Sequence, residues 1–268
     1  MLIDLHVHTS RYSSCGKSSP EEMAQAAVQH GLDAIVITEH NVSWPADELA
    51  ELRQAFPQLL ILNGIELTSD CGDDYLVLGL PPQPWYAPRL PASEIACRSH
   101  DLGGLVILAH PYRYSDRLPD TLVDWPVDGV EIASCNMHGT ASAGAIALAH
   151  ESSAFPVWNS DAHHVRNIGL YANVFPRDVT NEHELATALR RREHHGYADE
   201  SRIRATNEEW RRYLPLIHQL IAEGASDEAI RAATSTNVGF SDLYAVRAGL
   251  DVMRPLLAPP LAEAIRTD

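Results

Sequence analysis

Residues 1–10, MLIDLHVHTS, place two histidines directly after a short and mostly apolar run. The run at 2–5 is typical of a buried strand. Side chains two positions apart on a strand share a face, so His6 and His8 point to the same side. Two imidazoles on one rigid element suit a divalent transition metal. An isolated His-x-His is common by chance, so the rest of the chain decides whether this pair binds metal.

Six more apolar runs follow, and helical patterns separate most of them. The predicted strands are 2–5, 34–38, 59–62, 75–78, 105–109, 129–133 and 156–159, and the predicted helices are 20–30, 46–56, 92–102, 138–152 and 182–192. Runs without polar alternation suit strands that are covered on both faces. Strand and helix alternate about seven times, which predicts a parallel α/β fold, as a barrel or as an open sheet.

Ionisable residues recur where the predicted strands end. After the strands come His6 and His8, Glu39 and His40, Glu66, His110, and Asp161 with His163, while Asp73 and Asp74 precede the fourth strand. In a parallel barrel the carboxyl ends of the strands meet at one mouth, where the chemistry is found. Burying so many ionisable groups without a counter-ion would cost several kcal/mol each. The pattern therefore predicts a metal cluster.

These motifs resemble those of the PHP (polymerase and histidinol phosphatase) superfamily over about residues 1–195. The matching segments are 4–9 (DLHVHT), 37–41 (ITEHN), 63–66 (NGIE), 109–111 (AHP) and 160–163 (SDAH). The resemblance implies a distorted seven-stranded (β/α)7 TIM-like barrel. It also implies two or three divalent metal ions (Zn, Mn or Fe) and phosphatase or phosphoesterase activity.

The resemblance implies one metal centre built from seven residues: His6, His8, His40, Glu66, His110, Asp161 and His163. His6, His8, Glu66 and Asp161 would hold one metal, and Glu66 would bridge to a second that His40 also binds. His110 and His163 would bind a third metal or contact the phosphate.

Three positions depart from the family pattern. The second motif commonly has Asp where this chain has Glu39, which we expect to orient a ligand from behind. In the loop after the first motif, Cys15 is the nearest residue able to bind metal, and we expect a supporting role for it. Near the fourth strand, Asp73 or Asp74 stands where members with three metals usually have a histidine.

The expected function is a metal-dependent phosphoric ester hydrolase in which a metal-bridging hydroxide attacks phosphorus. His110 or His163 would protonate the leaving oxygen or hold the phosphate. Arg113 is either a phosphate ligand or a surface arginine, and Lys17 and Arg117 are weaker candidates for the same role.

Three alternatives stay open. An amidohydrolase-type enzyme acting on C–N bonds or lactones would use the same hydroxide, although such barrels often carry a carboxylated lysine and no lysine follows a predicted strand here. The second alternative is a non-catalytic metal-binding module. The third is a nuclease, which the charge disfavours for long substrates.

The chain of 268 residues has a formal net charge of -16. Such a protein repels polyanions, so we expect a small-molecule phosphoester substrate and no long nucleic acid. Its four cysteines form no C-x-x-C pair. Neither a signal peptide nor a membrane-length apolar run is evident, so we expect a cytoplasmic protein without membrane contact.

The C-terminal part, residues 196–268, contains helical patterns and no predicted strand. The helices are predicted at 207–223, 226–234 and 241–257. We expect a helical extension that packs on the barrel of residues 1–195 or forms an oligomer interface. Substrate specificity is expected from the loops at 12–18, 42–46, 81–91 and 113–127.

Overall fold

A computed structural model of the protein describes residues 1–114, 127–234 and 238–256. Its strands are β1 (Leu2–Val7), β2 (Ala34–Ile37), β3 (Leu60–Thr68), β4 (Asp74–Leu78), β5 (Leu105–Leu108), β6 (Gly129–Ala133), β7 (Phe155–Trp158), β8 (Tyr171–Val174) and β9 (His195–Ala198). Its helices are α1 (Pro20–Gln29), α2 (Ala46–Ala55), α3 (Ala92–Asp101), α4 (Gly139–Glu151), α5 (Glu182–Arg190), α6 (Glu200–Ala222), α7 (Asp227–Ala233) and α8 (Phe240–Arg247).

The strands form one mixed sheet in the order β7-β6-β5-β4-β3-β2-β1-β8-β9. Strands β1 to β3 are parallel to one another, as are β5 to β7, but β4 is antiparallel to both of its neighbours. Strands β8 and β9 add two further antiparallel pairings. The α/β barrel-like fold is confirmed. The prediction of seven strands in a purely parallel order was wrong, because the described part of the chain holds nine.

The reversed direction of β4 brings Asp74 to the mouth of the barrel. A turn at residues 69–73 joins β3 to β4 where a β/α repeat would have a helix. Two reversals restore the direction of β5, so the carboxyl ends of β1 to β3 and of β5 to β7 share one mouth. The amino end of β4 lies at this same mouth, and therefore Asp74 does too.

Side chains nearly close the barrel between β7 and β8. The Trp158 backbone N–H donates to Asn173 Oδ1 over 3.1 Å, and Asn173 Nδ2 donates to the Trp158 carbonyl over 2.7 Å. The side-chain amide of Asn173 thus takes the place of backbone hydrogen bonds between β7 and β8. Gly196 of β9 leaves room for the Trp158 indole, because a Cβ there would lie 2.3 Å from the ring. Because residues at this junction, such as Asn173 and Gly196, are polar or small, the sequences of β8 and β9 show no apolar strand pattern.

Apolar side chains fill the inside of the barrel and the space beneath its helices. Ile3, Leu5 and Phe155 belong to the inner core, whereas Met23 of α1 packs on the outer face of the sheet. The start of α1 has the predicted capping box, in which Ser19 and Glu22 each bond the other's backbone N–H.

The C-terminal helices form a second core and also contact the barrel. Helix α6 begins earlier than predicted, because Asp199 accepts a hydrogen bond from Arg202 N and caps it. Helix α8 ends at Arg247, ten residues before the predicted end. Tyr171 Oη of β8 donates to the Pro255 carbonyl over 2.9 Å, so the last described segment is bonded to the barrel. None of the described helices combines the length and apolarity needed to cross a membrane.

Candidate metal centre

An irregularity in β1 turns His6 and His8 into the barrel. Asp4 pairs with Ile35 of β2 and Val7 pairs with Ile37, so β1 has one extra residue in this interval. The alternation of side chains shifts at such a bulge. Below it, Leu5 packs in the inner core, while above it Val7 packs against the outer helices. The two imidazoles therefore face inward at the mouth, where their Nε2 atoms lie 3.0 Å apart.

Glu66 of β3 lies at the centre of four imidazoles. Its Oε1 lies 2.8 Å from His110 Nε2 and 3.4 Å from His6 Nε2. Its other oxygen, Oε2, lies 2.7 Å from His40 Nδ1 and 3.2 Å from His8 Nε2. Glu66 can occupy this position because β3 extends to Thr68, well beyond the predicted end at 62.

Asp161 closes the other side of the cluster. Its Oδ1 lies 3.3 Å from His6 Nε2 and 3.2 Å from His8 Nε2. The same oxygen lies 3.6 Å from His163 Nδ1. Asn136 Nδ2 donates to Oδ2 over 2.7 Å and orients the carboxylate. The structure thus brings all seven predicted ligands together.

Two of these residues have strained backbones. His110 has φ of 30° and Asp161 has φ of 48°, both in the left-handed region that side chains with a Cβ rarely adopt. Such strain costs about 1–3 kcal/mol and persists where the surroundings enforce it. His110 follows β5 and Asp161 follows β7, and both side chains reach into the mouth of the barrel.

Opposite charges within the cluster set its protonation. Burial by itself would raise the pKa of Glu66 and of Asp161, but positive charge on His6 holds both pKa values well below their usual range. For His40, burial works to lower the pKa, yet the Glu66 carboxylate raises it to about 11. Burial lowers the pKa of His163. The carboxylates are therefore anionic and ready to bind a cation.

Glu131 supports the cluster from inside the barrel, and the sequence prediction missed it. Its side chain is fully buried in β6. Oε1 lies 3.1 Å from His6 Nδ1 and accepts from Asn159 Nδ2, while Oε2 accepts from the His110 backbone N–H. The available signal was a lone acidic residue inside the apolar strand GVEIA.

Glu39 lies behind His8 and does not face the other carboxylates. It accepts hydrogen bonds from Thr9 N, Ser13 Oγ and Trp44 Nε1. Ser13 Oγ in turn lies 3.2 Å from His8 Nδ1 and links the two. Cys15 lies half-buried beside His40, and its thiol contributes to the raised pKa of that imidazole.

The three cationic candidates have different positions. Arg113 is half-buried and pairs with Asp74, with 3.0 Å between NH2 and Oδ2. Arg113 and the exposed Lys17 both line a cavity that opens onto His40 and His163. Arg117 lies outside the described residues.

The donor set fits divalent metal ions. Four overlapping groups hold their ligand atoms within 4.8 Å of one another: His8, His40 and His163; His6, His110 and Asp161; His6, His8 and Glu66; and Glu66, Asp74 and His110. Glu66 Oε2 and Asp161 Oδ1 are buried and lie 2.7–3.6 Å from imidazole nitrogens that are themselves candidate ligands. Buried carboxylates are unfavourable unless positive charge lies beside them, which protonated imidazoles or a bound metal ion can supply.

The PHP domain family model matches residues 4–224. The chain belongs to the PHP domain family. The match includes all seven predicted ligands and continues through α6. An uncharacterized protein of Methanocaldococcus jannaschii is 29% identical over 143 residues, which cover 49% of this chain and 81% of that protein.

Solved structures share the PHP fold at low sequence identity. PsfC from Pseudomonas syringae aligns with a TM-score of 0.58 and 19% identity over 75% of this chain and 92% of that chain. A two-domain protein from Bacteroides vulgatus contains a predicted PHP-like metal-dependent phosphoesterase. It aligns with a TM-score of 0.58 and 17% identity over 74% of this chain and 64% of that chain. Identity this low supports the fold and not the substrate.

Proposed function

We propose that the protein is a metal-dependent phosphoesterase that hydrolyses a small phosphorylated metabolite or nucleotide. The observation that carries this proposal is the crowding of imidazoles around two buried carboxylates, Glu66 and Asp161. Membership of the PHP domain family and the phosphoesterase named for the Bacteroides vulgatus neighbour support the same class of reaction.

The proposed ligands are His6, His8, His40, Glu66, His110, Asp161 and His163. When bound, two or three divalent ions would supply Lewis-acid charge to the phosphoryl oxygens and a water molecule of lowered pKa as nucleophile. Glu131 and Asn136 hold the ligands His6 and Asp161 in place. The identity and number of the ions stay predictions.

His163 is better placed than His110 to act on the substrate. His163 lines the cavity, and its side chain is 21% exposed. His110 is almost fully buried and bonds Glu66. We infer that His163 holds the phosphate or moves a proton at the leaving oxygen, while His110 acts as a ligand.

The charge of the cavity supports an anionic substrate. Although the whole chain carries -16, the cavity is lined by Lys17, Arg113, Arg166, Arg231 and Arg254 against two acidic residues, Glu209 and Asp242. The side chains of Lys17 and Arg166 have no ion-pair partner among residues 1–114, 127–234 and 238–256. These cations favour a small phosphoester, while the overall charge still disfavours long nucleic acid.

The amidohydrolase alternative is less well supported. Lys17 is the only lysine among the 268 residues, and it is exposed in the loop before α1. A carboxylated lysine within the barrel is therefore excluded, which leaves Glu66 as the candidate bridge. The alternative of a non-catalytic module fits poorly with seven donors that all reach one cluster.

The test is hydrolysis of p-nitrophenyl phosphate after chelation and after addition of Mn²⁺, Zn²⁺ or Fe²⁺, with simple amides and lactones assayed in parallel. We expect chelation to abolish phosphoester hydrolysis and at least one metal to restore it. Glu66→Gln should lose the activity, and Glu48→Gln, which removes a carboxylate on α2, should keep it. Activity that is indifferent to chelation and to metal would refute the proposal.

A further inference from the structure

A cavity of about 460 Å³ lies over the candidate metal centre, and C-terminal helices form its roof. His40 and His163 lie on its floor. Trp210 and Tyr213 of α6 and Phe240 at the start of α8 line the opposite side. The cavity thus joins the barrel mouth to the helical extension.

The size of the cavity indicates that more than a phosphoryl group enters it. Pockets for metabolite-sized ligands are typically about 300–1,000 Å³. A phosphoryl group on the floor would leave most of the 460 Å³ for the rest of the substrate. The residues of the roof would therefore contact the organic group of the ester.

The roof is aromatic and partly open. The Phe240 side chain is 43% exposed, and Tyr213 is half-buried. The Arg231 guanidinium carbon lies 4.2 Å from the centre of the Phe240 ring and holds that ring in place. Exposed aromatic faces gain stability when an apolar or flat group covers them.

Described residues of two loops expected to provide specificity, 12–18 and 113–127, also line the cavity. Ser14, Cys15, Lys17, Arg113 and Tyr114 line it, but the segment 81–91 does not. Its aromatic residues Trp85 and Tyr86 pack against the core beside α3 instead. Among the described residues, three aromatic side chains that line the side opposite the metal centre come from α6 and α8: Trp210, Tyr213 and Phe240.

We propose that the helical roof is the specificity element and that the preferred substrate is a phosphomonoester bearing a flat, largely apolar ring. Tyr213 and Phe240 would contact the ring, while Lys17, Arg113 and Arg166 attract the anionic end. This inference rests on the proposed phosphoesterase function.

The experiment compares 1-naphthyl phosphate with glycerol 2-phosphate on the metal-loaded, full-length protein. We expect a higher kcat/KM for the naphthyl ester, and because 1-naphthol is also the better leaving group, the contribution of the roof is read from the change in the ratio between variants. Phe240→Ala and Tyr213→Ala should each lower the naphthyl-to-glycerol ratio of kcat/KM by roughly 3- to 10-fold. Leu216→Ala is the matched control, because Leu216 is exposed on α6 and does not line the cavity.

A binding measurement tests the proposed recognition of the ring independently of the proposed phosphoesterase activity. Titration calorimetry with 1-naphthylphosphonate, which is not hydrolysed, should show weaker binding to Phe240→Ala than to Leu216→Ala, with unchanged circular dichroism melting. If neither ester is hydrolysed, the proposed function fails. The phosphonate affinities still test whether Phe240 contacts the ring. Equal kcat/KM for both esters, or equal phosphonate affinity in the two variants, would overturn the roof proposal.

Discussion

Glu131 is an acidic residue in the middle of an apolar strand, and its three bonds explain its position. It faces His6 Nδ1, the His110 backbone N–H and the Asn159 amide. An imidazole bonded at Nδ1 presents its Nε2 lone pair toward the cluster, because the bond fixes the tautomer. One carboxylate thereby positions ligands that come from two different strands.

We predict that Glu131→Gln lowers metal affinity by about 10- to 100-fold, since the neutral amide no longer fixes His6. The measurement is calorimetric titration of the metal-free protein with Zn²⁺ or Mn²⁺ at neutral pH. Glu48→Gln is the matched control because Glu48 pairs with Arg11 at the surface. An affinity equal to that of the wild type would assign Glu131 a purely structural role.

Helix α4 begins at an unusual N-cap. The His138 ring accepts a hydrogen bond from the Ala141 backbone N–H at Nδ1, 3.2 Å away. The bond requires a neutral ring. Burial lowers the pKa of His138 from the ordinary 6.5, and the positive charge of Arg254 adds to the effect, while Asp242 and Asp251 oppose it. The beginning of the helix is therefore sensitive to acid.

We predict that stability of the folded state decreases as pH falls below about 6.5, partly because of His138. The unfolded chain binds a proton there while the folded chain resists it, so the contribution is intact above that pH. His138→Asn keeps an N-cap and should flatten this dependence in urea unfolding at pH 7.5 and 5.5. His138→Ala should cost about 1 kcal/mol at pH 7.5.

The control for this prediction is His183→Asn. His183 is exposed on α5, so its replacement should leave the pH dependence as in the wild type. An identical acid response in His138→Asn and the wild type would rule out the N-cap as its source.

A buried ion pair, Arg254 with Asp242, ties the parts of the helical extension together. Arg254 NH2 lies 2.7 Å from Asp242 Oδ1, with the two side chains 5% and 2% exposed. Asn207 of α6 bonds both the N–H and the carbonyl of Arg254. These bonds join α6, α8 and the last described segment to one another, and the Tyr171 hydroxyl attaches that segment to the barrel through the Pro255 carbonyl. The division of the chain at residue 195 and the oligomeric state stay predictions.

We predict that Arg254→Met destabilises the protein by about 3–5 kcal/mol, because it leaves the Asp242 carboxylate buried without its cationic partner. Arg247→Met is the matched control. Arg247 also pairs at 2.7 Å, with Asp227, but the side chains are 41% and 37% exposed, so its loss should cost about 0–1 kcal/mol. Urea unfolding at neutral pH measures both values. Equal losses of unfolding free energy in the two variants would show that the buried ion pair contributes no more than the exposed one.

By itself the sequence determined the elements with strong local patterns. The capping box at Ser19 placed α1, and apolar runs placed β1 to β7, because both patterns depend on neighbouring residues alone. The seven predicted ligands were found in the same way, since each follows or extends a strand pattern. Strands β8 and β9 were missed because Asn173 and Gly196 serve a partner distant in sequence, the β7 edge at Trp158.

Only the tertiary structure decided the geometry around those ligands. The bulge in β1 turns the His6 side chain toward the inside of the barrel, and the reversal of β4 brings Asp74 to the mouth. Glu131 acquires its role from bonds to His6 and Asn159, and Phe240 acquires its role from a cavity on the barrel mouth. These features depend on pairing and packing between segments that are far apart in sequence, so a local sequence pattern does not predict them.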